Sequence, residues 1–109
     1  SVLYTSPYIE IIDLRKQKIR GFVSKLASLL SERKRIVVCI IFKPCQNEVV
    51  LTFRVPQHLS FNALAFIEKI IEKHGGTGGG HVKAASIRIP ETLFPTIMDE
   101  LLKFTREQT

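Results

Sequence analysis

The seven residues Ile36-Val-Val-Cys-Ile-Ile-Phe42 are apolar throughout, and five of them are β-branched. β-Branched side chains fit an extended, pleated backbone. Successive residues of a strand point to opposite faces, so a strand without a polar face has to be covered on both sides. A chain carrying such a strand is committed to layers stacked around a sheet. A membrane span is excluded for this run, because crossing a bilayer takes about 20 apolar residues.

The flanking patterns supply the layers. From Lys16 to Glu32 the apolar residues Ile19, Phe22, Val23, Leu26, Leu29 and Leu30 recur at intervals of three and four, which predicts an amphipathic helix. Tyr8 to Leu14 alternates loosely and reads as a first strand, residues 1–15 being otherwise a linker. Pro44 and Asn47 mark a turn, and Glu48 to Val55 resumes strand character, completing a hairpin. In that strand Val49, Leu51, Phe53 and Val55 share one face, while Val50, Thr52 and Arg54 share the other. Ser60 is placed to cap a helix from Phe61 to His74 with Leu64, Ile67 and Ile71 on its buried stripe. Lys83 to Ile89 is a further strand that Pro90 stops. Leu93 to Thr105 is a last helix with Phe94, Ile97, Met98, Leu101 and Phe104 inward. The fold class is α/β: one two-layer domain over residues 1–109, with a mixed sheet and about three helices.

Lysine and arginine outnumber aspartate and glutamate by 16 to 10, a formal net charge of +6. Part of the excess is grouped, in Arg15, Lys16, Lys18 and Arg20 and again in Arg33-Lys34-Arg35. A basic domain of this kind is compatible with a nucleic-acid partner. Ser1 to Ser6 lack the basic start and apolar centre of a secretion leader. Cys39 and Cys45 have no partner pattern and read as reduced thiols. The expected location is therefore cytoplasmic, without membrane contact. The aspartates Asp13 and Asp99 and the histidines His58, His74 and His81 are scattered, so no spacing suggests a metal cage.

Five of the six glycines fall within Gly75-Gly-Thr-Gly-Gly-Gly80, followed by His81-Val-Lys83. Gly75 serves as the end of the preceding helix, and the rest exceeds what a cap needs. A P-loop would require Gly-Lys-Ser/Thr after its fourth spacer residue, and here Gly80 is followed by His81. A dinucleotide fingerprint runs from strand through glycines to helix, and here the order is reversed. What remains is either a loop of free amides forming an anion nest, with His81 and Lys83 as donors beside it, both on one side if the segment is extended, or a flexible connector whose histidine and lysine are simply exposed.

Gly-Gly-x-Gly-Gly-Gly-His-x-Lys-Ala-Ala, after an amphipathic helix and before a strand, resembles the signature of the DHH-associated domain of the first type. That domain is the C-terminal half of DHH-family phosphoesterases, among them RecJ-type single-strand exonucleases, oligoribonucleases and cyclic-dinucleotide phosphodiesterases. Val50-Leu-Thr-Phe-Arg-Val55 resembles the family's second feature, an apolar strand with polar residues at Thr52 and Arg54. The resemblance runs from about Val37 to the C-terminus. It implies that Thr52, Arg54, Gly78, Gly79, Gly80, His81 and Lys83 hold a substrate phosphate or terminal nucleotide, facing a catalytic DHH domain in the same polypeptide. It also implies manganese or magnesium in that other domain and single-stranded DNA or RNA as partner. No Asp-His-His occurs in this chain. Ser86 stands where the family usually has glycine and Val82 where proline is common. Thr77 within the glycine segment looks most like the archaeal RecJ-like proteins.

Two other functions fit parts of the pattern: a non-catalytic module docking replication or repair proteins through Arg15–Arg20 or the last helix, and a transfer-RNA-binding appendage like that of alanyl-tRNA synthetase. Base stacking on aromatics is disfavoured, since Phe22, Phe53, Phe61 and Phe104 occupy core-like positions.

Overall fold

The computed structural model describes residues 2–16 and 34–108. These form strands β1 (Val2–Thr5), β2 (Ile9–Asp13), β3 (Ile36–Lys43), β4 (Glu48–Arg54), β5 (Thr77–His81) and β6 (Ala84–Pro90), with helix α1 (Ala63–His74) between β4 and β5 and α2 (Phe94–Gln108) at the end. The helix expected over Lys16–Glu32 lies, beyond Lys16, outside the described residues.

The apolar run is β3, with Ile36, Val38 and Ile40 in the main core and Val37 and Cys39 in a second buried cluster with Leu14. Both of its faces are therefore covered, as its sequence required. The strands join one sheet in the order β1-β2-β3-β4-β6-β5. β2 and β3 are parallel, and the remaining neighbours are antiparallel. Burial in β4 alternates: Val49, Leu51 and Phe53 are fully buried while Val50, Thr52 and Arg54 are half-buried.

α1 and α2 lie on the Phe53 face. Ala63, Ile67 and Ile70 of α1 and Ile97, Met98 and Leu101 of α2 join its core. The rings of Phe53, Phe61, Phe66 and Phe104 meet at 4.9–6.4 Å between centroids, so the phenylalanines named as core residues in the described region do pack there. Helix α1 starts later than Ser60 predicts. Asn62 is the cap, its side chain accepting from the Ala65 amide at 2.9 Å. The fully buried residues of the helix are Ala63, Ile67 and Ile70; of the expected stripe Ile67 is fully buried and Ile71 packs partly buried against the core. Gly75 closes the helix at φ 95°, donating to the Ile71 carbonyl.

Two strands escaped the sequence reading. The first is β1, turned back onto β2 by Ser6, whose hydroxyl accepts from the amides of Tyr8 and Ile9, a side-chain-stabilised turn. The second is β5, formed by the glycine segment itself, which is a correction of the expected loop of free amides. Thr77 to His81 pairs in register with Ala84 to Arg88.

Candidate functional site

The register fixes which side chains share the sheet face opposite the helices. Across β4, β6 and β5 one row reads Arg54, Ala84, His81; the next reads Thr52, Ser86, Gly79; the third reads Val50, Arg88, Thr77. β3 extends these rows with Val37, Cys39 and Ile41, but Val37 and Cys39 are buried, so the exposed part of the face is that over β4, β6 and β5. Four of the seven residues expected at the site, Thr52, Arg54, Gly79 and His81, thus come together on one face. β5 is an edge strand, so every second backbone amide along it faces away from β6. In place of the expected nest the segment presents a strand edge.

The glycines divide by geometry. A Cβ on Gly78 would lie 2.3 Å from the Ser86 carbonyl oxygen, and one on Gly80 would lie 2.4 Å from that of Ala84, with Gly80 also at φ 135°. Their bareness lets β5 lie close against β6. A Cβ on Gly79 would meet nothing within 4 Å. Among the described residues its bareness serves no neighbour, and it leaves backbone open to an approaching group.

Lys83 does not stand beside His81. It lies in the β5–β6 turn, where its ammonium donates to the Leu59 carbonyl. The same turn is held by two backbone hydrogen bonds: Ala63 N–H donates to the Val82 carbonyl and Val55 N–H to that of Lys83, each at 2.8 Å. Ala63 is the first residue of α1, so one of the amides a helix start leaves unmatched anchors the turn that follows His81.

Beside Gly79, the Ser86 hydroxyl donates to Thr52 Oγ1 at 3.2 Å, which leaves the Thr52 proton available for an acceptor on the open face. Arg54 donates to its own neighbour's carbonyl, Phe53, at 3.1 Å. It also acts on Cys39 behind it. Burial pushes that thiol up to about 11, with Arg54 opposing the shift and Glu10 adding to it. Cys39 is therefore a buried, protonated thiol at neutral pH.

A depression of about 410 Å³ opens on this face, lined by Thr77, Gly78, Gly79 and Ser86 together with Lys43 and Arg88. A wider groove of about 720 Å³ lies between the helices, but its rim sets Lys69, Lys73 and Lys103 against Asp99, Glu100 and Glu107. Those charges balance, whereas the charged residues lining the smaller depression, Lys43 and Arg88, are both basic. An anion is drawn to the smaller one. Sequence reasoning missed Ser86, Arg88 and Lys43: the β4–β6 register puts Ser86 beside Thr52 and Arg88 one row on, and Lys43, opposite Glu48 at the end of β3, joins them only as part of the lining of the depression. Among the described residues no group of histidine, cysteine, aspartate and glutamate could hold a metal ion, and no helix is long and apolar enough to cross a membrane.

The family model of the DHHA1 domain matches residues 8–108. The chain belongs to the DHHA1 domain family. Membership reaches well upstream of Val37, where the motifs begin. Comparison with curated protein sequences gave no match. Among solved structures, the DHHA1 fold here is similar to a pGpG-specific phosphodiesterase from Vibrio cholerae, with a TM-score of 0.70, 13% identity, and coverage of 97% of this chain and 36% of that one. It is similar to the C-Ala domain of Aquifex aeolicus alanyl-tRNA synthetase, at 0.61 and 20% identity over 86% of this chain and 85% of that one. A DHH-domain structure described as a member of the S1p family of ribosomal proteins follows at 0.59 and 17%, over 89% of this chain and 25% of that one. This chain thus spans about a third of the phosphodiesterase and a quarter of the DHH-domain protein.

Proposed function

We propose that this DHHA1 domain is the substrate-holding half of a RecJ-like DHH-type phosphoesterase, gripping phosphates of single-stranded DNA or RNA for a catalytic DHH domain in the same polypeptide. The observation that carries this reading is the convergence of Arg54, His81 and the bare backbone of Gly79 in adjacent rows of one open face. Arg54 offers a planar set of donors suited to phosphate oxygens. His81 adds a donor at the sheet edge, and Thr52 a hydroxyl between them. Contacts of this type position a backbone without reading its bases, which suits an enzyme acting on many sequences. Gly78 and Gly80 keep β5 close to β6 so that these groups stay in register. Lys83, occupied at Leu59, supports the turn.

The residues described here do not assemble a metal centre. Manganese or magnesium ions, when bound in the catalytic domain, would supply Lewis acidity and hydroxide there. The proposed setting is the cytoplasm, within replication or repair.

The test is a titration of the 109-residue chain with a labelled single-stranded oligonucleotide at low salt. Binding should weaken with salt at a log–log slope of about −0.7 per neutralised phosphate, and Arg54→Ala with His81→Ala should abolish most of it. Absence of binding, or binding indifferent to both substitutions, overturns the reading. A transfer-RNA appendage is the second reading, favoured by the C-Ala domain being matched over 85% of its length. It requires tighter binding to a folded transfer RNA than to an unstructured strand of equal charge. A protein-docking role would instead give a stable complex untouched by either substitution.

A further inference from the structure

We propose that the open face is a track with three stations for consecutive phosphates of one extended strand, and that Arg88 with Lys43 forms the far station. The inference rests on the reading that the Arg54 and His81 row takes a phosphate. It adds the length of substrate that the face accepts.

The argument is one of spacing. Residues on the same face of an antiparallel strand repeat every two positions, about 6.8 Å at 3.4 Å per residue. An extended single strand places successive phosphates about 7 Å apart, twice the roughly 3.4 Å rise of a stacked one. A strand lying along β5 and β6 therefore keeps step with the side-chain rows. The first row offers Arg54 and His81, the second Thr52, Ser86 and the open backbone at Gly79, and the third Arg88 and Thr77. From first to third the distance is about 14 Å, two nucleotide steps.

The chemistry at each station matches a phosphodiester. The middle station is neutral and hydroxylic, with the bare Gly79 letting the backbone come close. The far station is basic. Lys43 follows Ile41 on this face of β3 and lines the depression with Arg88. The groups that compete for them are few. Arg88 Nε stands 3.9 Å from Glu48 Oε1, at the limit of an ion pair, with half of its side chain exposed. An exposed pair at that distance contributes little, so a phosphate entering the depression can displace it. Nothing in the glycine motif points to Arg88 or Lys43. Arg88 follows from the β4–β6 register and Lys43 from the lining of the depression.

The experiment measures affinity of the full chain for 5′-phosphorylated thymidine oligonucleotides of one to six nucleotides by calorimetry. Affinity should climb up to three phosphates and then level. Lys43→Ala with Arg88→Ala should lower affinity for ligands of three or more phosphates on the order of tenfold and reduce their salt slope by about 0.7, with a smaller loss for ligands of one and two phosphates, which can occupy the Arg54 row instead. Arg88→Lys should retain most of the gain. The side chains are exposed, so an unchanged melting temperature verifies the fold of the variants. Equal affinity for one and four phosphates, with dependence on Arg54 intact, overturns the track and leaves the first reading standing. Loss of no affinity on Arg54→Ala and His81→Ala overturns both, and the short ligands report this separately.

Discussion

Gly78 and Gly79 are neighbours with opposite burdens, and exchanging each for alanine separates what the fold needs from what a ligand needs. At Gly78 a methyl group would lie 2.3 Å from the Ser86 carbonyl oxygen and 2.8 Å from the Ile87 α-carbon, both backbone atoms of β6. Neither can rotate aside, so β5 has to move off the sheet. Overpacking of this kind costs about 1–3 kcal/mol, a drop in Tm of roughly 5–20 °C at the 4–8 °C per kcal/mol of a small domain. At Gly79 the methyl group meets nothing within 4 Å among the described residues and needs no left-handed backbone. Alanine there restricts the unfolded chain and stabilises by about 0.4–1 kcal/mol, raising Tm by a few degrees. The same methyl group would stand on the open face between the Thr52–Ser86 pair and the sheet edge, where a phosphate would need the bare backbone. Gly79→Ala is therefore expected to fold at least as well as the parent and to bind single strands far more weakly. Thermal unfolding followed by circular dichroism, with an oligonucleotide titration on the same samples, measures both. A Gly79→Ala protein that melts as early as Gly78→Ala, or that binds like the parent, would refute this division.

Other expectations are independent of the ligand. Asn62→Ala should cost about 1 kcal/mol by removing the cap on Ala65, visible in a melt, while Ser60→Ala should leave Tm unchanged. Cys45 is exposed and Cys39 buried, with the Cys39 thiol held protonated, so a thiol reagent such as dithionitrobenzoate should titrate Cys45 quickly and Cys39 only on unfolding. Equal rates would contradict the packing. Glu100 accepts from His74 at 2.9 Å and Lys73 at 2.7 Å, and hydrogen bonding, chiefly from His74, holds its carboxyl below the ordinary 4.5. The depressed carboxyl stabilises the fold above about pH 4.5 and loses that contribution as pH falls below it. Being partly exposed, the pair should contribute no more than about 1 kcal/mol, and Glu100→Gln should flatten that part of the acid limb in a pH-dependent melt.

Periodicity revealed the elements whose partners are layers. The runs of β3 and β4 and the stripe of α2 state their own burial, and Arg54 and Thr52 could be assigned to the outer face before any register was known. What sequence could not state depended on pairing. A glycine segment has no side-chain alternation, so β5 carries no period-two signal, and only its ladder with β6 makes it a strand. Ser86 looked like a departure from a family pattern until register set it beside Thr52. Lys83 shared a side with His81 only if the chain ran straight, and the turn removed it. The two-residue error at the start of α1 arose because both Ser60 and Asn62 are good caps and local sequence does not choose between them.

The hydrogen bond from Ala63 to the Val82 carbonyl joins the first turn of α1 to the end of β5. Helix starts open more readily than sheet centres, and whenever this one opens, the turn loses a tether and the His81 end of the face loses its alignment. Amide exchange at Ala63 should then slow when the face is occupied, although no ligand touches the helix. Affinity becomes a property partly stored in helix fraying, and it can be tuned by substitutions near Asn62 on the layer behind the sheet.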